Sequence, residues 1–107
     1  MQSTEFSSAT VTAKANIYFD GKVVSHTVVT SEGERKTLGI IFPGEYEFGT
    51  EAPERMEIID GSCRVKVADA EDWVTVDSGD GFDVPGNSKF QIAVDSIAQY
   101  VCSFLSE

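Results

Sequence analysis

Histidine is nearly absent from this chain: among 107 residues there is one, His26. No set of imidazoles able to hold a transition metal can be assembled from it. Cysteine is almost as scarce. Cys63 and Cys102 stand far apart, without the close spacing of metal-binding or redox motifs. Small secreted domains stapled by disulfides usually carry more crosslinks than one. Both cysteines lie in apolar strand-like runs, so they read as buried free thiols of a cytoplasmic protein. Positive charge is short as well, with 8 Lys plus Arg against 18 Asp plus Glu and a net charge of −10. Such a chain repels nucleic-acid backbone and anionic lipid, so neither is expected as a partner. A local cationic spot for one small anion is still compatible with that balance. No apolar run approaches the roughly 20 residues of a membrane span, and no hydrophobic leader stands at the N-terminus.

What the chain does have is apolar bulk. Hydrophobic residues make up 41%, including seven Phe, three Tyr and one Trp. A chain of this length is the size of one domain and buries about two-thirds of its unfolded surface, enough for a single core. Residues 1–14 are rich in Ser, Thr and Ala without a sustained apolar period, and read as a floppy tail or an edge strand added to a partner. From residue 15 to 107 the sequence becomes a string of short strands with turns about every 8–12 residues. No stretch holds a 3.6-residue period for three turns.

Punctuation places the strands at 17–19, 23–30, 36–42, 45–50, 56–59, 62–68, 73–76, 82–84, 90–94 and 99–105. Asp20-Gly21 and Asp60-Gly61 are hairpin signals, Pro43-Gly44 and Pro85-Gly86-Asn87 are turns, and residues 69–72 have room for a single helical turn. So many short strands need a closed or two-sheet arrangement to hide their edges, and the expected fold is an all-β jelly-roll β-barrel.

Two segments resemble the paired motifs of cupins. Glu54 and Gly61 reproduce the glutamate-to-glycine spacing of the first motif, and Gly79, Pro85 and the Gly86-Asn87 turn match the second. Counting from these anchors, the histidine positions of a metal-binding cupin fall on Phe48, Thr50 and Phe90. Phenylalanine has no lone pair and a threonine hydroxyl is a poor ligand, so no metal cofactor is expected.

The likeness extends beyond the motifs. Pro43-Gly44-Glu45-Tyr46-Glu47-Phe48-Gly49-Thr50-Glu51-Ala52-Pro53-Glu54-Arg55-Met56, Asp69-Ala70-Glu71-Asp72-Trp73 and Gly81-Phe82-Asp83-Val84-Pro85-Gly86-Asn87-Ser88-Lys89-Phe90 resemble a family of small bacterial cupins, the pyrimidine/purine nucleoside phosphorylases. That resemblance implies cleavage of nucleosides by inorganic phosphate to free base and ribose 1-phosphate, with broad base tolerance. Composition and spacing alone point to no such reaction.

Strand alternation nominates the side chains that would do it. Tyr46, Phe48 and Thr50 are expected on one inner wall and Glu54, Met56 and Ile58 on the next, with Cys63, Val65, Val67 and Phe90 behind them. This is an aromatic pocket suited to a planar base. Glu54, set among Phe48, Phe90 and Met56, is the expected acid, with a raised pKa; pairing with Arg55 at the rim is its other reading. Arg35, beside the Gly33 turn where family members carry an arginine, is the expected phosphate ligand, since a guanidinium fork matches two phosphate oxygens. Thr50 either bonds ribose or phosphate or satisfies nearby backbone. A non-catalytic cupin binding a nucleoside or sugar is the alternative reading, and a structural module that forms a homodimer is a third.

Overall fold

The computed structural model describes residues 4–105. Eleven strands run in chain order: β1 (Thr10–Val11), β2 (Asn16–Tyr18), β3 (Val23–Val29), β4 (Arg35–Ile41), β5 (Gly44–Gly49), β6 (Glu54–Asp60), β7 (Ser62–Val67), β8 (Val74–Asp77), β9 (Gly81–Val84), β10 (Lys89–Val94) and β11 (Ala98–Phe104). They form a seven-stranded sheet in the order β1-β3-β4-β11-β6-β9, with β2 also on β3, and a four-stranded sheet in the order β5-β10-β7-β8. The two sheets face each other as a jelly-roll sandwich, not as a barrel closed by hydrogen bonds.

Period-two alternation builds the space between the sheets. Val23, Ile41, Ile58, Val84 and Ile92 all point into it and are 1% exposed or less; each such side chain contributes about 1.5–3 kcal/mol through burial. Val28 and Val101 face the other way, and are buried in a groove on the outer side of the larger sheet that Thr4, Phe6 and Val11 also line. Within the stretch expected as a tail, Thr10–Val11 pairs with β3 of the same chain. Residues 1–3 lie outside the described range.

Several connections differ from the sequence expectation. Asp20-Gly21 does turn β2 back onto β3, with Tyr18 opposite Val23. Phe19, however, belongs to the turn: Phe19, Asp20 and Gly21 form a 3-10 turn with φ of 51°, 56° and 92°. Asp60-Gly61 joins two strands that do not pair, because β6 lies in the larger sheet and β7 in the smaller. It is a corner, and a Cβ on Gly61 would come within 2.7 Å of the Ile97 carbonyl oxygen. Residues 69–72 form no helical turn. The chain instead leaves β7 through Ala68, at φ 56°, and the Ala70 N–H donates to the Val67 carbonyl.

Candidate active site

A cavity opens between the two sheets beside the β2–β3 turn. The cavity holds about 600 Å³. Its larger-sheet wall is built from inward-facing positions of four neighbouring strands, namely Ser25 on β3, Thr37 on β4, Tyr100 and Cys102 on β11, and Glu54 on β6. The smaller sheet contributes Phe48 and Phe90, with rings stacked at 5.6 Å and 23°. Tyr18 and Phe19 close the side, each meeting the Phe48 ring edge-on, at 5.7 and 5.4 Å.

Glu54 is the carboxylate that faces inward on this wall. Burial raises its pKa, and a hydrogen bond from the Cys102 thiol to Oε1, 3.4 Å long, opposes part of that rise. Arg55, the next residue on β6, points outward and pairs with Asp83 at 3.3 Å, so the rim pair with Glu54 does not form. Tyr100 is held by a hydrogen bond with Ser25, and burial is the largest cause that pushes its phenol up to about 12. A neutral hydroxyl donor thus sits beside the acid at any physiological pH.

The nominated residues divide. Phe48, Glu54 and Phe90 line the cavity. Tyr46 is buried outside it, with its hydroxyl on the carbonyls of Phe42 (2.7 Å) and Pro43 (3.1 Å) and its ring against Phe19. Thr50 is buried outside it as well. Its hydroxyl donates to the Pro85 carbonyl at 2.7 Å and accepts from the Ser88 N–H at 3.0 Å, which ties the end of β5 to the β9–β10 turn. Both are framework residues for the wall that carries Phe48.

Arg35 does not line the cavity, but its place in β4 puts it on the same face as Thr37 and Ile41. Its guanidinium lies over the ring of Phe104, 4.7 Å from the centroid, and Phe104 does line the cavity opposite Glu54 in the β6–β11 register. Arg55 pairs with Asp83 and Arg64 with Asp95, so Arg35 is the arginine without a carboxylate partner among the described residues. His26 is on the outer face, with Nδ1 3.1 Å from the Thr12 carbonyl oxygen.

Sequence reasoning missed the β11 wall, Ser25, Thr37 and the Tyr18–Phe19 side. In the structure the inward positions 100, 102 and 104 of β11 form that wall, with Gly39 of β4 opposite Tyr100.

The positions that hold metal in related folds do not fit one here. Two are stacked phenyl rings, the third is the Thr50 hydroxyl engaged with backbone, and no cluster of three or more His, Cys, Asp or Glu able to hold a metal forms among the described residues.

The fold is a two-sheet jelly roll of the cupin type, with the inward-facing Glu54 in an aromatic hollow. A crystal structure of a cupin superfamily protein from Desulfitobacterium hafniense superposes with a TM-score of 0.67 over 88% of this chain and 84% of that one, at 16% identity. A crystal structure of a protein of unknown function from Acinetobacter sp. ADP1 is nearer, with a TM-score of 0.94, 47% identity, and coverage of 96% and 100%. A protein of Cupriavidus pinatubonensis named pyrimidine/purine nucleoside phosphorylase is 55% identical over 97% of this chain and 99% of its own. Residues 13–104 match the family described as pyrimidine/purine nucleoside phosphorylase, and the chain belongs to that family.

Proposed function

We propose that the protein splits purine and pyrimidine nucleosides with inorganic phosphate into free base and ribose 1-phosphate, and does so without a metal. The observation that carries this reading is Glu54: one acid of raised pKa facing an aromatic cavity, in a chain whose relatives bear the phosphorylase name.

The reaction breaks the bond between C1′ and the base nitrogen while a phosphate oxygen bonds to C1′, through an oxocarbenium-like state. It needs an anion site, a proton for the departing base and a pocket that orients the sugar. Glu54, whose pKa burial raises, gives its proton to the base. The phosphate sits at Arg35, whose donors no carboxylate claims among the described residues. Hydrogenphosphate loses its proton as it becomes the ribose phosphate dianion, which restores the acid and closes the balance. Ser25, Thr37 and Tyr100 offer hydroxyls to the ribose, and the Phe48–Phe90 stack offers its faces to the base. The aromatic faces of Phe48 and Phe90 stack on any planar base, which suits broad base tolerance.

The test is direct. Purified protein is incubated with uridine or adenosine, with and without phosphate, and free base is measured. Phosphate-dependent release supports the reading. Nucleoside binding without release would instead make the protein a non-catalytic ligand-binding cupin.

The working form in this reading is a cytoplasmic homodimer that engages neither nucleic acid nor membrane. Two free, buried thiols suit a reducing compartment. Val11 and Ile40, 58% and 37% exposed on the larger sheet, offer an apolar surface for a second copy.

A further inference from the structure

Glu54 does not stand alone in the wall of the cavity. Cys102 lies diagonally across from it in the β6–β11 pair, with Sγ 3.4 Å from Oε1. On its other side Cys102 faces Thr37 across β4–β11, and the Thr37 hydroxyl bonds the sulfur. Three adjacent strands therefore carry a polar chain, from the buried Thr37 hydroxyl to the buried Cys102 sulfur to the half-buried Glu54 carboxyl.

We propose that Cys102 is a positioning residue, whose thiol, anchored by Thr37, occupies Oε1 of Glu54 and so fixes Oε2 as the oxygen that carries the transferable proton. This rests on the reading of Glu54 as the acid.

The chemistry follows from the donor inventory. A protonated carboxyl has one oxygen that accepts and one that donates. A thiol hydrogen directed at Oε1 makes that oxygen the acceptor, and the acid hydrogen goes to Oε2. When Oε2 gives its proton to the base nitrogen, negative charge develops on the carboxylate, and the S–H bond to Oε1 strengthens with it. The proton comes back to Oε2 from hydrogenphosphate, and the thiol keeps its own throughout. Burial, foremost, and the neighbouring Glu54 push the thiol far up, so it stays a donor. A sulfhydryl is a weak donor. That weakness lets it orient the carboxyl without stabilising the anion so much that the acid is lost.

The other groups around Glu54 leave this assignment to Cys102. Tyr100 on β11 is bonded to Ser25, and Lys36 on β4 donates to Ser103 at 2.7 Å. Asp83 on β9 is paired with Arg55, Arg35 lies over Phe104, and Tyr18 on β2 sits against Phe48. On the smaller sheet the titratable group that lines the cavity is Glu47, which is exposed.

The experiment compares the full-length native protein with Cys102→Ala, Cys102→Ser and Thr37→Val, with folding of each checked by circular dichroism. Carbon-13 NMR follows the titration of the Glu54 carboxyl without substrate, and the pH profile of kcat is measured in parallel. Loss of the donor in Cys102→Ala should raise the Glu54 midpoint by about half to one pH unit and move the limb of kcat with it. Cys102→Ser, which keeps a donor, should titrate at or below the native midpoint, and Thr37→Val should shift less than Cys102→Ala in the same direction. An unchanged Glu54 midpoint in Cys102→Ala overturns the inference and leaves the phosphorolysis reading intact. A midpoint that shifts while the kcat limb stays fixed overturns the acid role of Glu54, and the inference falls with it.

Discussion

Gly39 on β4 leaves the space that the Tyr100 ring of β11 fills. The two are cross-strand partners, and a Cβ at position 39 would fall onto the ring carbons and hydroxyl of Tyr100. Ser25 is the partner of Gly39 on the other side, so the phenol crosses over β4 to reach its hydrogen bond. Gly39→Ala should cost about 1–3 kcal/mol through overpacking. It should also raise KM for nucleoside, because the displaced ring must enter the cavity. Chemical denaturation and steady-state kinetics on the same preparation check both.

Thr50 predicts the opposite split. Its hydroxyl makes two hydrogen bonds with backbone of the β9–β10 turn and none with the cavity. Thr50→Val leaves the part-buried Ser88 N–H without this partner and should destabilise the fold by about 1–3 kcal/mol. Nucleoside and phosphate KM should stay close to native. A rise in KM larger than the loss of stability would return Thr50 to the binding site.

These two residues show how far the sequence could be read. The order of strands was legible because Gly, Pro and Asp-Gly punctuate nearly every turn, and β5 and β10 placed Phe48 and Phe90 correctly by parity. Parity was also right that Tyr46 turns into the core, and Thr50, just past the same strand, is buried too. Their hydroxyls are tied to local carbonyls, though, and the hollow begins beyond them, a matter of packing that spacing does not encode. Asp60-Gly61 looked like a hairpin because the same left-handed glycine serves a hairpin and a corner between sheets. The β11 wall was hidden for another reason. Val101 and Ser103 are buried on the outer side as Tyr100 and Cys102 are on the inner, so the strand reads as one apolar run whose working face has no sequence mark.

Arg35 should act on phosphate alone. It reaches the cavity end only through its stack on Phe104, and that placement leaves the base side untouched. Arg35→Ala should raise KM for phosphate about tenfold or more, while nucleoside binding measured without phosphate changes little. Arg35→Lys should recover only part of the loss, since an ammonium supplies charge without the planar fork. An equal rise in both KM values would place the phosphate elsewhere.

Glu54 ties rate and stability to the same titration. Its folded-state pKa is raised, chiefly by burial, so the folded chain favours the neutral acid more than the unfolded chain does. The stabilising contribution of the neutral group is therefore fully present below the unfolded pKa of an ordinary glutamate. It is lost as pH rises through the higher folded value. The acid is lost through the same interval, so kcat should fall on the alkaline side of that midpoint, which lies above the ordinary glutamate value. Glu54→Gln keeps the shape and a hydrogen-bond donor but has no proton to give. Its kcat should drop by about 10²–10⁴, and the part of the stability–pH curve due to Glu54 should flatten. Urea denaturation and kcat measured at matched pH values separate the two effects. Native turnover in Glu54→Gln would remove Glu54 as the acid, and a flattened stability curve in that same variant would show that burial alone had set its titration.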